Sequence, residues 1–167
     1  DVGDLTVARY GAVGTNSATN GYGSGGNIAA APGVDIVDKF ALSSTADATD
    51  IGNLTQARYA SGGATDLSGG YGYCVGGGTD SGRYDIIDRN SFSSDTNSVD
   101  VGDMIQAAFR HGGASSTTHG YMTGGHNGSS YINVIEKFAF GSSSSGTDVG
   151  DIVGNHGSLS GTSATSY

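Results

Sequence analysis

Four times the sequence sets oxygen-bearing side chains around a glycine: Asp1 and Asp4, Asp50 and Asn53, Asp100 and Asp103, Asp148 and Asp151. Clustered hard oxygen ligands near turns are what Ca²⁺ takes. The oxygen spacing of an EF-hand loop is absent, however, and Asp beside Gly is ordinary turn chemistry, so the expectation is a structural segment and no metal. A second recurring pattern is an acid–base doublet, Asp38-Lys39, Asp88-Arg89 and Glu136-Lys137. Neighbours in a strand point to opposite faces, so the members of a doublet cannot simply pair with each other. Their expected use is pairing between sheets, Asp38 or Asp88 with Arg9 or Arg58. One such site per unit speaks for architecture, because catalysis would break the repetition.

The remaining reactive side chains form no catalytic pattern. His111, His119, His126 and His156 lie in the C-terminal third without the tight ligand spacing of a metal site. Loop or surface positions are expected for them. The single Cys74 excludes an internal disulfide and a cysteine-based zinc cage. No Ser-His-Asp order, phosphate-cradling loop or general-acid pair is discernible, and GYGSGG (21–26) lacks the following helix that a dinucleotide site needs. Asn53-Leu54-Thr55 and Asn127-Gly128-Ser129 match the glycosylation pattern and are assigned no role. The reading is non-enzymatic, with no catalytic residue and no cofactor.

Composition narrows the partners. The 167 residues include 31 Gly, one Pro and no Trp, and the net charge is −9, with Glu136 the only glutamate. An acidic chain without a basic patch argues against nucleic acid, where Lys and Arg must neutralise phosphates, and against docking on anionic membranes. No stretch approaches the roughly 20 apolar residues of a membrane span, and Asp1 opens no signal peptide. The missing initiator Met is read as a processed or partial chain. Low-complexity composition suggests a linker, but apolar and aromatic residues recur in register, which disorder does not do.

The elements that must position these residues repeat. Asp-x-Gly starts fall at Asp1, Asp50, Asp100 and Asp148, 49, 50 and 48 residues apart, a period that marks a repeat architecture. The division is 1–49, 50–99, 100–147 and an incomplete 148–167. No helical period is visible. Each unit instead yields four short strand-like pieces. The first surrounds ARYGAVG (8–14), ARYASGG (57–63) and AAFRHGG (107–113). The second is GYGSGG (21–26), GYCVGG (72–77) and GYMTGG (120–125). The third is VDIVDKFAL (34–42), YDIIDRNSF (84–92) and INVIEKFAF (132–140), and the fourth is the Asp-x-Gly segment itself. Strand three carries apolar residues on both faces, as expected of a sheet sandwiched between sheets. The expected fold is all-β, with four-stranded antiparallel blades.

An apolar or aromatic strand ending in Gly-Gly, a variable loop and an apolar-acidic strand together resemble the kelch repeat. Gly25-Gly26, Gly76-Gly77 and Gly124-Gly125 match that family's glycine pair, and Ala8-Arg9 and Ala57-Arg58 its upstream segment. The family's Trp is missing, and Ala108 replaces the Arg in unit three, with Arg110 two places on. The resemblance covers essentially the whole chain and implies a β-propeller, whole or partial, or a stacked array of blades. Some kelch-like propellers are copper oxidases with a cysteine crosslinked to tyrosine. Cys74 beside Tyr73, however, fills a slot taken by Gly23 and Met122 elsewhere, so packing accounts for it. The repeat wording is also similar to fibre-like virion proteins of tailed phages from marine bacteria.

Three full units do not close an ordinary ring of about four to eight blades. A fragment of a longer repeat protein, a ring shared by several chains and an open fibre-like array all remain, the first two preferred. Neighbouring copies or structural subunits are expected as partners, and the isolated chain is expected to associate or fold poorly. Variable loops carry specificity in such proteins. Here they read NIAAAPGV, GTDSGRY and HNGSSY, and Asp80, Arg83, Tyr84, Asn127 and Tyr131 suit sugars through stacking and hydrogen bonding. The expected role is structural and adhesive, in a virion or extracellular setting, with cell-surface glycans as ligands. The alternatives are a carbohydrate-binding propeller of cellular origin and, behind it, a propeller enzyme with its catalytic residues elsewhere.

Overall fold

The computed structural model describes residues 3–143 and 145–154. Within them the chain is all-β, with no helix and three four-stranded antiparallel sheets. The first sheet is a meander of β1 (Val13–Asn16), β2 (Asn20–Ser24), β3 (Val34–Ala41) and β4 (Thr49–Arg58). The second holds β5 (Gly62–Asp66), β6 (Tyr71–Val75), β7 (Ile86–Ser91) and β8 (Val99–Asp103). The third holds β9 (Gly112–Ser115), β10 (His119–Thr123), β11 (Val134–Ala139) and β12 (Thr147–Asp151). Each sheet therefore straddles a repeat boundary, its fourth strand supplied by the next Asp-x-Gly segment.

The expected third strands and glycine pairs lie where their patterns put them. Gly25 and Gly26 follow β2 at φ of 63° and 115°, a left-handed pair that only glycine adopts without strain. The first strands differ from expectation. They begin at Val13, Gly62 and Gly112, while Ala57-Arg58 still belongs to β4. Between them the backbone turns left-handed at Gly11, Ala60 and Arg110, with φ of 67°, 56° and 62°. That kink sends the Ala60 N–H to the Gly11 carbonyl (2.8 Å) and the Arg110 N–H to the Ala60 carbonyl (2.6 Å), linking successive units. The Asp-x-Gly text builds a bulge inside the fourth strand. Asp50, Asp100 and Asp148 accept from the N–H of Gly52, Gly102 and Gly150 at 3.0, 3.0 and 2.9 Å, and the pairing register shifts opposite them.

Burial lies between sheets. One cluster joins Val13, Tyr22, Val37, Ile51 and Leu54 of the first sheet to Cys74 of the second, with Phe92 packed against it. The other joins Ala64, Tyr73, Val75, Ile87, Val101 and Met104 of the second to Met122 and Phe138 of the third. Each sheet thus has a front face on the side of the next sheet in the chain and a rear face on the other, and among the described residues only the second sheet is covered on both. Tyr22 stacks on Phe92 (4.6 Å) and Tyr73 on Phe140 (5.0 Å) across the two junctions. The first strands approach one another, β1 against β5 and β5 against β9, whereas the fourth strands barely touch. A Cβ on Gly63 would lie 2.7 Å from Val13 and 2.9 Å from the Gly14 carbonyl, and one on Gly113 would collide with the Gly63 carbonyl. Glycine is required there because backbone meets backbone.

Candidate functional site

Two sets of polar residues recur in register, one buried and one at a rim. The buried set is a clasp. Arg58, at the end of β4, holds Asp88 on β7 at 2.9 Å, and Arg9 holds Asp38 on β3 at 3.0 Å, all four side chains being fully buried. Asp88 also accepts from Thr55 N (2.9 Å) and Oγ1 (2.7 Å), and Asp38 from Thr6 N (3.0 Å) and Oγ1 (2.6 Å). The same guanidinium nitrogens donate to the carbonyls of Cys74 and Gly23 at 3.1 Å. Burial works against the Arg58 charge, but Cys74 and Asp88 beside it hold its pKa above the ordinary value. The Arg–Asp partners are those expected from the doublets. Arg58–Asp88 bridges two sheets, and the segment carrying Arg9 crosses onto the first sheet in the same way.

The third unit rewrites the whole clasp: Ile105 stands for the Thr, Ala108 for the Arg and Glu136 for the Asp. Glu136 keeps the backbone bond of the clasp, accepting from Ile105 N at 2.6 Å, and loses the hydroxyl and guanidinium partners. Desolvation raises its pKa, partly opposed by that hydrogen bond. His111 lies in the segment before β9, outside the strands as a loop residue would, but it is not at the surface: it is 5% exposed. Its ring nitrogens face the carbonyls of Ala108 (2.8 Å) and Gly124 (3.1 Å). Burial lowers its pKa, with the two carbonyls acting in the opposite sense. A neutral ring has one N–H, so the ring donates to only one of those carbonyls; the Ala108 carbonyl also accepts from Gly77 N at 2.9 Å. The space beside the Gly76 and Gly125 backbones holds the ring.

The rim is built where residues 10, 59 and 109 bridge to the residue after each glycine pair, Tyr10 to Asn27, Tyr59 to Gly78 and Phe109 to His126. Asn27 Nδ2 donates to Tyr10 Oη at 2.9 Å, and Tyr59 Oη donates to Asp80 at 2.9 Å. That hydrogen bond raises the Tyr59 pKa, aided by burial and the Asp80 charge. An open hollow of about 280 Å³ is lined by Tyr10, Asn27, loop 28–32 and Asp80. Tyr10 is 67% exposed beside it. The sequence reading missed Tyr10, Asn27 and Tyr59; the aromatic residue after each Ala-Arg or its counterpart was the available signal.

The five loop candidates divide between this hollow and the next loop. Asp80 lies at the hollow. Arg83 turns back on its own loop, donating to the carbonyls of Thr79 and Gly82, with its guanidinium 3.9 Å over the Phe109 ring. Tyr84 is half-buried, its N–H donating to the Gly77 carbonyl at 2.8 Å. Asn127 closes its own turn, its Oδ1 accepting from Ser129 N and Ser130 N at 2.9 Å. Tyr131 is exposed and meets the His126 ring edge to face at 4.9 Å. Among the described residues no three His, Cys, Asp or Glu side chains converge as a metal site. His156 lies outside the described residues. No protein-family model matches the chain, and none of the curated proteins matches it.

Proposed function

We propose that the chain is a non-enzymatic structural and adhesion module, a run of kelch-like blades within a virion appendage, whose loop rim contacts host-surface glycans. The observation that supports this most is the division of its polar chemistry. In the first two units the fully buried Arg9, Asp38, Arg58 and Asp88 side chains are spent on one clasp per unit. One exposed aromatic and one exposed acceptor, Tyr10 and Asp80, meet at a single hollow. An exposed aromatic face stacks on the apolar face of a sugar ring. A carboxylate that accepts one bond from Tyr59 keeps further acceptor capacity for sugar hydroxyls. The virion setting rests on the likeness of the repeat wording to phage fibre proteins; the same rim would serve a kelch-type carbohydrate-binding propeller of cellular origin.

Glycan-array binding by the wild-type chain and by Tyr10→Ala/Asp80→Asn tests the reading. Binding that the double variant loses at least about tenfold, with an unchanged melting temperature, is the expected result. Absence of any glycan signal from the wild type, or binding unaffected by the double variant, overturns the adhesive part.

A further inference from the structure

We infer that the two outermost sheet faces are the unused halves of the junction that the chain already makes twice, and that their occupant is a second copy of this chain, docked head to tail. This rests on the scaffold reading above and names its partner.

The front face of the third sheet repeats the apolar set of the other two. Its Tyr121, Ile135, Val149 and Ile152 occupy the register of Tyr22, Val37, Ile51 and Leu54, and of Tyr73, Ile87, Val101 and Met104. The latter eight are 0–7% exposed. Val149 is 47% exposed, and Tyr121, Ile135 and Ile152 are only half-buried. The rear face of the first sheet is the complement. Phe40 and Leu42 stand where Phe138 and Phe140 meet the second sheet, yet are 37% and 56% exposed.

The backbone makes the same point. Gly63 and Gly113 are glycines because the preceding sheet's backbone touches them, whereas a Cβ on Gly14, at the same position, would meet nothing. Ala60 and Arg110 donate their N–H to the unit before, and among the described residues nothing accepts from Gly11 N–H or donates to the Arg110 carbonyl. A donor, a bare glycine and an exposed aromatic stand at one end, with an acceptor and an exposed apolar set at the other. A surface matching a different surface of its own copy gives heterologous, head-to-tail association.

One conflict fixes how the copies meet. Asp4 and Asp151 are the same repeat position, and residues 4–9 of the receiving copy already lie across Asp38. Residues 152–154 of the incoming copy therefore give way to Leu5 and the residues after it, and contact is through Tyr121, Ile135 and Val149 of the third sheet's front face.

The experiment is sedimentation velocity of the full chain over a concentration series, with Gly14→Arg and Val149→Asp alone and mixed. Gly14 is exposed, with open space around its Cβ, and Val149 is exposed, so melting curves should match the wild type at concentrations where the wild type is dissociated. Expected are concentration-dependent association of the wild type and monomers for each variant. The two variants mixed should give a one-to-one dimer, because each retains the face the other has lost. A wild type that stays monomeric, association that survives both substitutions, or a mixture that fails to pair overturns the inference. Neither substitution touches the rim, so a wild type that binds glycans yet stays monomeric would sink this proposal alone.

Discussion

Replacing Arg58 with Ala removes the cation from a fully buried carboxylate. Asp88 would keep the Thr55 N–H and Oγ1 bonds but lose the Nη2 contact at 2.9 Å, and the Cys74 carbonyl would lose its side-chain donor. Breaking a buried pair from one side costs about 3–5 kcal/mol, about 6–20 °C in melting temperature for a chain of this size. The pair's net worth is smaller, because Arg58 Nε has no partner and both ions were desolvated. Arg58→Ala/Asp88→Asn should therefore regain about 1–3 kcal/mol of the loss as the coupling between contacting residues, Asn still accepting from Thr55. The third unit, where Ala108 and Ile105 replace the Arg and the Thr together while Glu136 keeps the backbone N–H bond, shows that the repeat accommodates loss of the ion pair. Urea unfolding of the wild type, both single variants and the double variant measures the cycle. A loss below about 1 kcal/mol for Arg58→Ala, the range of an exposed pair, or strictly additive single effects would refute the reasoning.

Burial raises the Glu136 pKa, so the folded state binds more protons than the unfolded chain just above the usual carboxylate range. Stability must then fall as pH rises through that window; Glu136→Gln should flatten the fall and stabilise the protein at neutral pH, as read by urea melts across pH. The lowered His111 pKa acts with the opposite sign, stability falling as pH drops below about 6.5, the unperturbed His value. His111→Gln should remove that acid-side loss. Ala60 sits at φ 56°, where an L side chain costs about 1 kcal/mol. Ala60→Gly should raise stability by up to about that amount, less the entropy that glycine loses on folding, and a lower melting temperature would contradict the strain argument.

The all-β class and the four strands per unit were legible because apolar residues recur with the same spacing around fixed glycine pairs. The Arg9–Asp38 and Arg58–Asp88 clasps were legible for a related reason: a charge repeated once per unit in an apolar strand needs a buried partner. Strand one was misplaced because Ala57-Arg58 and Gly62-Gly63 are contiguous in the text, and the left-handed residue between them is Ala60, which carries no glycine signal. His111 was unreadable because its burial depends on the Gly76 and Gly125 backbones of two different sheets. The rim was half legible: Asp80 follows from loop position, but Tyr10 and Tyr59 reach it only through bridges to Asn27 and Gly78.

The claim beneath all of this is that stability resides in the junctions between sheets and not inside any one of them. Amide hydrogen exchange on monomeric Gly14→Arg measures it directly. The second sheet, covered on both faces, should exchange slowest, with β6 and β7 more protected than β2 and β3 or β10 and β11. Equal protection of the three sheets, or slowest exchange in an outer one, would contradict the account.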